Sequence, residues 1–291
     1  MICIAIVNWN QAGLLVDCLE SIFQNPPSEE LEVIVVDNGS EDDSVVLVNS
    51  RFPLVKVISN AENLGFGPAN NQAIRASSGW AILFLNNDTL VLPGAVDAMA
   101  DVLRADRSVG IVGCSQFSDR DLAHRHCTAY RRFPSLPASF VHQLSLFLKL
   151  ARKFPNSRLI QLLHMNYSYR DHDRTLNAAH INGACMMCRR DVLDEVGTFD
   201  TGLFLFLEDT DLCQRVKRHG YRIVYTPSGG VVHFGSRSLI ASGRGFKDFH
   251  YKSKCYYLEK HYGRAARLFY QAEYGLARRL LPRILNQEYG V

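Results

Sequence analysis

Val35-Val36-Asp37-Asn38-Gly39-Ser40 carries an apolar run straight into a carboxylate, and two further stretches do the same: Phe84-Leu85-Asn86-Asn87-Asp88-Thr89 and Leu207-Glu208-Asp209-Thr210-Asp211. A buried strand that ends in acids and amides delivers them to the rim of a sheet, where α/β proteins open their ligand crevice. Outward from Asp37 the chain alternates between two periodicities. Apolar runs at 2–7, 31–36, 55–58 and 81–85 predict strands, and helical spacing of apolar residues predicts helices over 11–23, 44–52, 67–77 and 93–104. Runs buried on both faces and separated by helices predict a mainly parallel sheet flanked by helices. Right-handed crossovers then bring the carboxyl ends of these strands to one side, so that Asn8, Asp37 and Asp88 share a crevice.

The 291 residues, 47% of them hydrophobic, suffice for one large core, and the charged fraction excludes a disordered chain. A formal charge of +3 does not by itself point to nucleic acid, but its distribution is uneven. From Arg244 to Val291 ten Lys/Arg face four Asp/Glu, a local +6. The amino terminus enters an apolar run without the basic leader and cleavage site of an export signal, and no run reaches the ~20 apolar residues of a membrane span; a cytoplasmic protein is expected. The eight cysteines are scattered, with a single Cys-x-x-Cys (Cys185, Cys188) and no second pair, so reduced, mostly buried thiols are expected.

After Val109-Gly110-Ile111-Val112-Gly113-Cys114 the pattern weakens. Residues 115–178 hold Pro134, Pro137 and Pro155 and one helical stretch, 139–150, and read as an insertion over the site. Order returns at 179–188, followed by a helix over 190–196, the acidic cluster, a helix over 210–219 and strands at 222–225 and 230–232.

The order Val7-Asn8-Trp9-Asn10, Val36-Asp37-Asn38-Gly39-Ser40, Asn63-Leu64-Gly65-Phe66-Gly67, Asn70-Asn71, Leu85-Asn86-Asn87-Asp88-Thr89, Asn182-Gly183-Ala184, Gly197-x-Phe199-Asp200, Glu208-Asp209-x-Asp211-Leu212 and Val232-His233 resembles the family 2 inverting glycosyltransferases of the GT-A fold, most closely their rhamnosyltransferase-like branch. The resemblance covers residues 1–240. It implies a single Rossmann-like, nucleotide-diphospho-sugar transferase domain, with 1–114 as the nucleotide-sugar half, 115–178 as the insertion and 179–240 as the acceptor and catalytic half. A basic helical tail, 241–291, follows.

Each piece has its own chemistry. Asp37 before Asn-Gly-Ser reads either as part of a helix start capped by Ser40 or, as the resemblance implies, as the acceptor for a ring N–H of uracil or thymine. Gly65 and Gly67 permit close backbone approach ahead of a helix start, where anions are favoured. The resemblance assigns nucleotide-sugar contacts to Asn8, Asn38, Gly39, Asn63, Gly65, Gly67, Asn70, Asn71, Asn87 and Gly183. Asn86-Asn87-Asp88 stands where the family has its metal-binding Asp-x-Asp; the first member here is an amide, which removes one charge but keeps an oxygen ligand. By resemblance Asp88, Asn86 and His233 hold Mn²⁺ or Mg²⁺. Arg237 reads equally as a phosphate clamp or a solvated loop arginine.

Glu208-Asp209-Thr210-Asp211 opens a helix, where acids complement the dipole. An apolar wall beside them also raises the pKa of the least solvated carboxyl, which suits a general base. The resemblance makes Asp209 that base and places Glu208 and Asp211 on the acceptor side, Asp211 also as a cap or brace of the helix. The expected reaction passes a sugar, rhamnose by resemblance, from a dTDP- or UDP-linked donor to a saccharide or lipid-linked saccharide with inversion, in cell-surface polysaccharide synthesis. For the basic tail, contact with the anionic inner face of the plasma membrane and packing on the main domain both stay open. A nucleotidyltransferase of related fold would need a basic run near the amino terminus, and Met1–Val16 has no Lys or Arg. A non-catalytic sugar-nucleotide-binding protein remains the alternative, kept open by Asn86.

Overall fold

The computed structural model describes residues 1–126, 129–130, 133–134, 173–235 and 246–280. The expected helix at 139–150, Cys127 and Arg237 lie outside them.

The first half forms as its periodicities predict, with one short strand, β5, that they do not: β1 (Ile2–Asn8), α1 (Ala12–Gln24), β2 (Leu31–Asp37), α2 (Ser44–Arg51), β3 (Lys56–Ser59), α3 (Phe66–Ala76), β4 (Ala81–Asn86), β5 (Thr89–Val91), α4 (Ala95–Ala105) and then β6 (Val109–Phe117). Short strands β7 (Arg125–His126), β8 (Ala129–Tyr130), β9 (Leu176–Ala178) and β10 (His180–Ile181) lead to β11 (Cys185–Arg189), α5 (Arg190–Val196), α6 (Glu208–Arg218) and β12 (Arg222–His233). The chain continues into α7 (Phe246–Tyr262) and α8 (Arg264–Leu280).

The main sheet runs β3-β2-β1-β4-β11-β6-β12-β5, with β7 and β9 attached to β6 and β12. Strands β3, β2, β1 and β4 are mutually parallel, as a βαβ series requires. The second half adds β11 antiparallel to both β4 and β6, so the sheet is mixed at its centre. The strands expected at 222–225 and 230–232 are one strand, β12, broken by an irregularity between Tyr225 and Gly230 where Pro227 interrupts the ladder. Alternation along β1 divides the core into two layers. Ile2, Ile4 and Ile6 pack with Leu15, Leu19, Met99 and Leu103 of α1 and α4. On the other face Cys3 and Ala5 join Ala69, Ala73, Leu212 and Val216 of α3 and α6. The carboxyl ends of β1, β2 and β4 lie side by side, and residues at or just past them share a cavity with the start of α6.

The seven described cysteines are buried and unbonded, as expected of reduced thiols. Among the described residues no helix is long and apolar enough to cross a membrane.

Candidate active site

The floor of the site is a chain of amide hydrogen bonds across three strand ends. Asn87 Nδ2 donates to Asn8 Oδ1 at 2.8 Å, and Asn8 Nδ2 donates to Asp37 Oδ1 at 3.0 Å. Ser40 completes this link, donating from Oγ to Asp37 Oδ1 at 2.6 Å and from its backbone N–H to Oδ2 at 2.9 Å. Ser40 is thus committed to Asp37 and does not cap α2, which begins four residues later after Asp43; the capping expectation is corrected. Asn38 ties the next loop down, donating to Asn63 Oδ1 and to the Gly65 carbonyl, each at 3.1 Å.

Gly39 and Gly65 both need their missing side chains. Each has positive φ, and a Cβ on Gly65 would stand 2.5 Å from the Phe204 carbonyl oxygen. Gly67 packs on Phe199, and Asn71 clamps the Phe199 backbone with both amide atoms, at 2.8 and 2.9 Å. Asn70 donates to the Phe66 carbonyl at 3.0 Å. Gly67, Asn70 and Asn71 therefore seat α3 on the segment before the acidic cluster, while Asn38, Asn63 and Gly65 line a cavity of about 300 Å³.

On the β4 side of that cavity stand Asn86, Asn87 and Asp88, joined by His233 from the end of β12. His233 Nε2 lies 3.3 Å from Asp88 Oδ1 and 3.3 Å from Asn86 Nδ2. Antiparallel pairing of β12 with β5 sets His233 opposite Thr89, next to Asp88, which explains how residues so distant in sequence converge. Among the described residues no group of three or more His, Cys, Asp or Glu side chains converges as a metal cage. One carboxylate, one imidazole and one amide suit Mg²⁺ or Mn²⁺ that takes its remaining oxygens from a diphosphate.

On the opposite side Glu208 and Asp209 begin α6 and face the same cavity. Two residues in the left-handed region, Phe206 (φ 68°) and Leu207 (φ 66°), make the abrupt turn that presents them. Asp209 Oδ2 accepts from the Gly183 N–H at 2.8 Å and lies 3.3 Å from His180 Nε2; Oδ1 accepts from the Thr210 N–H at 2.6 Å. Burial opposes the Asp209 charge, but His180 and these two backbone donors outweigh it and hold the carboxyl below its ordinary value. Glu208 goes the other way. Burial, reinforced by the neighbouring Asp209 charge, pushes it up to about 8, and its Oε2 is buried without a hydrogen-bond partner. The rise that the sequence reading attached to the base belongs to Glu208 instead.

Asp211, expected on the acceptor side, does not line the cavity, and that expectation is corrected. It is fully buried and accepts from Lys260 Nζ and His261 Nε2, both at 2.7 Å, and from Arg215 Nε at 2.8 Å. Burial alone would raise its pKa, yet the hydrogen bonds from His261 and Lys260 and the charge of Arg215 pull it far below the carboxylate range. Asp211 thus braces α7 against α6. Helix α7 also reaches the cavity: Phe249 lines it and stacks on Phe204 with ring centroids 5.2 Å apart, while Ser253 Oγ donates to the Leu205 carbonyl at 2.6 Å. Sequence reasoning missed Phe249, Phe204 and His180. Only His180, a titratable residue two positions before Asn182-Gly183, carried a signal that could have been read.

The family model for glycosyl transferase family 2 matches residues 3–197, and that for glycosyl transferase family group 2 matches residues 157–270. The chain belongs to glycosyl transferase family 2. It is 26% identical over 245 residues to the N-acetylglucosaminyl-diphospho-decaprenol L-rhamnosyltransferase of Mycobacterium tuberculosis, covering 80% of this chain and 76% of that one. Its fold resembles a mannosyltransferase from Pyrobaculum calidifontis solved with GDP-Man and Mn²⁺, at TM-score 0.56 and 17% identity, covering 99% and 79% of the two chains. It also resembles GalNAc-T7 solved with UDP, GalNAc and Mn²⁺, at TM-score 0.59 and 12% identity, covering 100% and 58%. This glycosyltransferase has the GT-A fold, in keeping with the expected α/β class.

Proposed function

We propose that this glycosyltransferase transfers a sugar, with rhamnose the leading choice, from a dTDP- or UDP-linked donor to a saccharide carried on lipid, inverting the anomeric centre. The observation that carries the reading is that Asp88 with His233, and Glu208 with Asp209, open onto one cavity from opposite sides. The rhamnosyltransferase relative, which shares a quarter of its aligned residues with this chain, supports the choice of sugar and a lipid-linked acceptor in cell-surface polysaccharide synthesis.

The chain's residues divide the work by position. Asn38, Asn63 and Gly65 shape the nucleotide side; Asp37, which the family resemblance pairs with a ring N–H of uracil or thymine, is buried next to Asn38 outside the cavity lining, where its Oδ2 takes a bond from Ser40. Asp88, His233 and Asn86 would hold Mn²⁺ or Mg²⁺ against the diphosphate, and a cation bound there neutralises charge developing on the leaving group. Asp209 stays ionised at neutral pH and is fixed by Gly183, Thr210 and His180, so it is oriented to take the proton from an acceptor hydroxyl. Glu208, neutral below about pH 8, can donate its carboxyl proton to the acceptor sugar as a hydrogen bond. Attack from the Asp209 side, opposite the diphosphate, is a single displacement and inverts configuration, as in the two-sided geometry of inverting glycoside hydrolysis.

The test is incubation of purified protein with a panel of dTDP- and UDP-sugars, Mn²⁺ and a lipid-diphosphate saccharide, with released nucleoside diphosphate and product anomeric configuration as readouts. Metal-dependent release with an inverted product is expected. Silence across the panel with acceptor present overturns the reading in favour of a sugar-nucleotide-binding protein.

A further inference from the structure

The last described helix has two unlike faces. Ala266 and Tyr270 are buried against α7 together with Cys255, Tyr257 and Leu258, and Tyr274 packs on the same cluster. On the other side of α8, Leu268, Phe269 and Leu276 are 60%, 49% and 59% exposed, and Ala265 and Ala272 are exposed between them. At ~100° per residue these five fall within one stripe, and Arg264 and Arg279, both exposed, close its two ends. The stripe contains no carboxylate. The one acid of α8, Glu273, lies on the inward side, and Arg264 makes only a 3.6 Å contact with Glu259 while its side chain is 91% exposed.

We infer that this face of α8 seats the protein on an anionic lipid bilayer. Three features on the face favour that occupant over a protein partner. It offers apolar groups with no Ser, Thr, Asn, Gln, Asp or Glu to fix a directional hydrogen-bonded fit. Its charge is of one sign, matching anionic headgroups, and it belongs to a carboxyl-terminal region of net +6. It is also a row of leucine and phenylalanine on a helix about 25 Å long, suited to lie in the plane of the interface with its apolar side a few ångströms into the acyl boundary.

The placement has a consequence for the site. Helix α7 carries α8 on one side and the cavity-lining Phe249 on the other, and Asp211, Lys260 and His261 lock α7 to the catalytic helix. Docking α8 therefore fixes the cavity at a set orientation to the membrane. The inference deepens the lipid-linked acceptor reading and rests on it for its purpose, though vesicle binding itself needs no turnover.

The experiment is co-sedimentation of the full chain with phosphatidylcholine vesicles with and without phosphatidylglycerol, beside the triple variant Leu268→Ser/Phe269→Ser/Leu276→Ser. The wild type is expected in the pellet with phosphatidylglycerol vesicles only, less so at high salt, and the triple variant is expected to lose binding by ~10-fold or more. Circular dichroism and Mn²⁺-dependent UDP or dTDP binding should be unchanged in the variant, which separates lost docking from lost folding. Wild type remaining in the supernatant, equal binding by the variant, or a lipid-free dimer that the variant dissociates would each overturn the proposal. Those results would leave transfer to a water-soluble acceptor untouched. Silence of the donor panel, conversely, would leave vesicle binding standing.

Discussion

Glu208 and Asp209, adjacent at the start of α6, are driven to opposite charge states by what surrounds them. Asp209 is met by the Gly183 and Thr210 N–H groups and by His180, while Glu208 Oε2 meets nothing. A neutral acid and a carboxylate therefore stand side by side at neutral pH, a pairing that lets one donate to a substrate while the other accepts a proton.

Turnover should accordingly fall on the alkaline side as Glu208 ionises near pH 8. Glu208→Gln, which keeps a donor without a titrating proton, should retain most activity at pH 7 and lose that alkaline limb. Stability follows the same group. The folded protein binds this proton more tightly than the unfolded chain, so the stabilisation is complete below the unfolded pKa of about 4.3 and declines as pH rises toward about 8. The Tm advantage of Glu208→Gln over wild type should therefore widen from pH 5 to pH 8, and a constant difference would speak against a protonated Glu208.

The Asp88–His233 contact predicts a graded metal response. Replacing His233 by Ala should raise the Mn²⁺ concentration needed for half-maximal rate on the order of 10-fold, and Asp88→Ala should abolish turnover, since Asp88 is the carboxylate of the set. EDTA should silence the wild type and added Mn²⁺ should restore it. Activity in EDTA, or equal Mn²⁺ titrations for wild type and His233→Ala, would remove the metal from this position.

Asp211 makes a prediction about architecture. Replacing it with Asn leaves Lys260, His261 and Arg215 around a neutral amide, at a cost of about 3–5 kcal/mol in urea unfolding. Because its folded pKa is depressed, the Asp211 contribution is present above the unfolded carboxyl pKa and is lost as pH falls toward the folded value. Wild type and Asp211→Asn should thus converge in stability in strong acid.

Gly65 tests the loop that bridges the nucleotide side to the acidic segment. Alanine there puts a Cβ 2.5 Å from the Phe204 carbonyl at a φ of +93°, so a loss of about 1–3 kcal/mol and weakened UDP or dTDP binding are expected. Gly13, whose Cβ would meet nothing within 4 Å, is the control.

Much of this fold was legible because strand and helix periodicities differ, and β1 to β4 alternate with α1 to α3 without interruption. The rim of the cavity was legible where a strand leads straight into an acid, as β4 does at Asp88. What escaped depended on distant segments. Strand β5 is three residues long and follows the Asn87-Asp88 turn directly, too short for its own alternation to mark it as a strand. The expected charge partition of the Glu208–Asp209 pair failed because it is set by His180 and the Gly183 N–H, which folding alone brings near. Phe249 lay in a tail whose mixed aromatic and basic composition gave no hint that one turn of it walls the cavity.

The most direct measurement is sugar transfer by Asp209→Asn beside its affinity for UDP and dTDP in Mn²⁺. An oriented carboxylate base opposite the diphosphate predicts nucleotide affinity within roughly 2-fold of wild type and transfer slowed by at least ~100-fold. Transfer at the wild-type rate by Asp209→Asn would contradict the account.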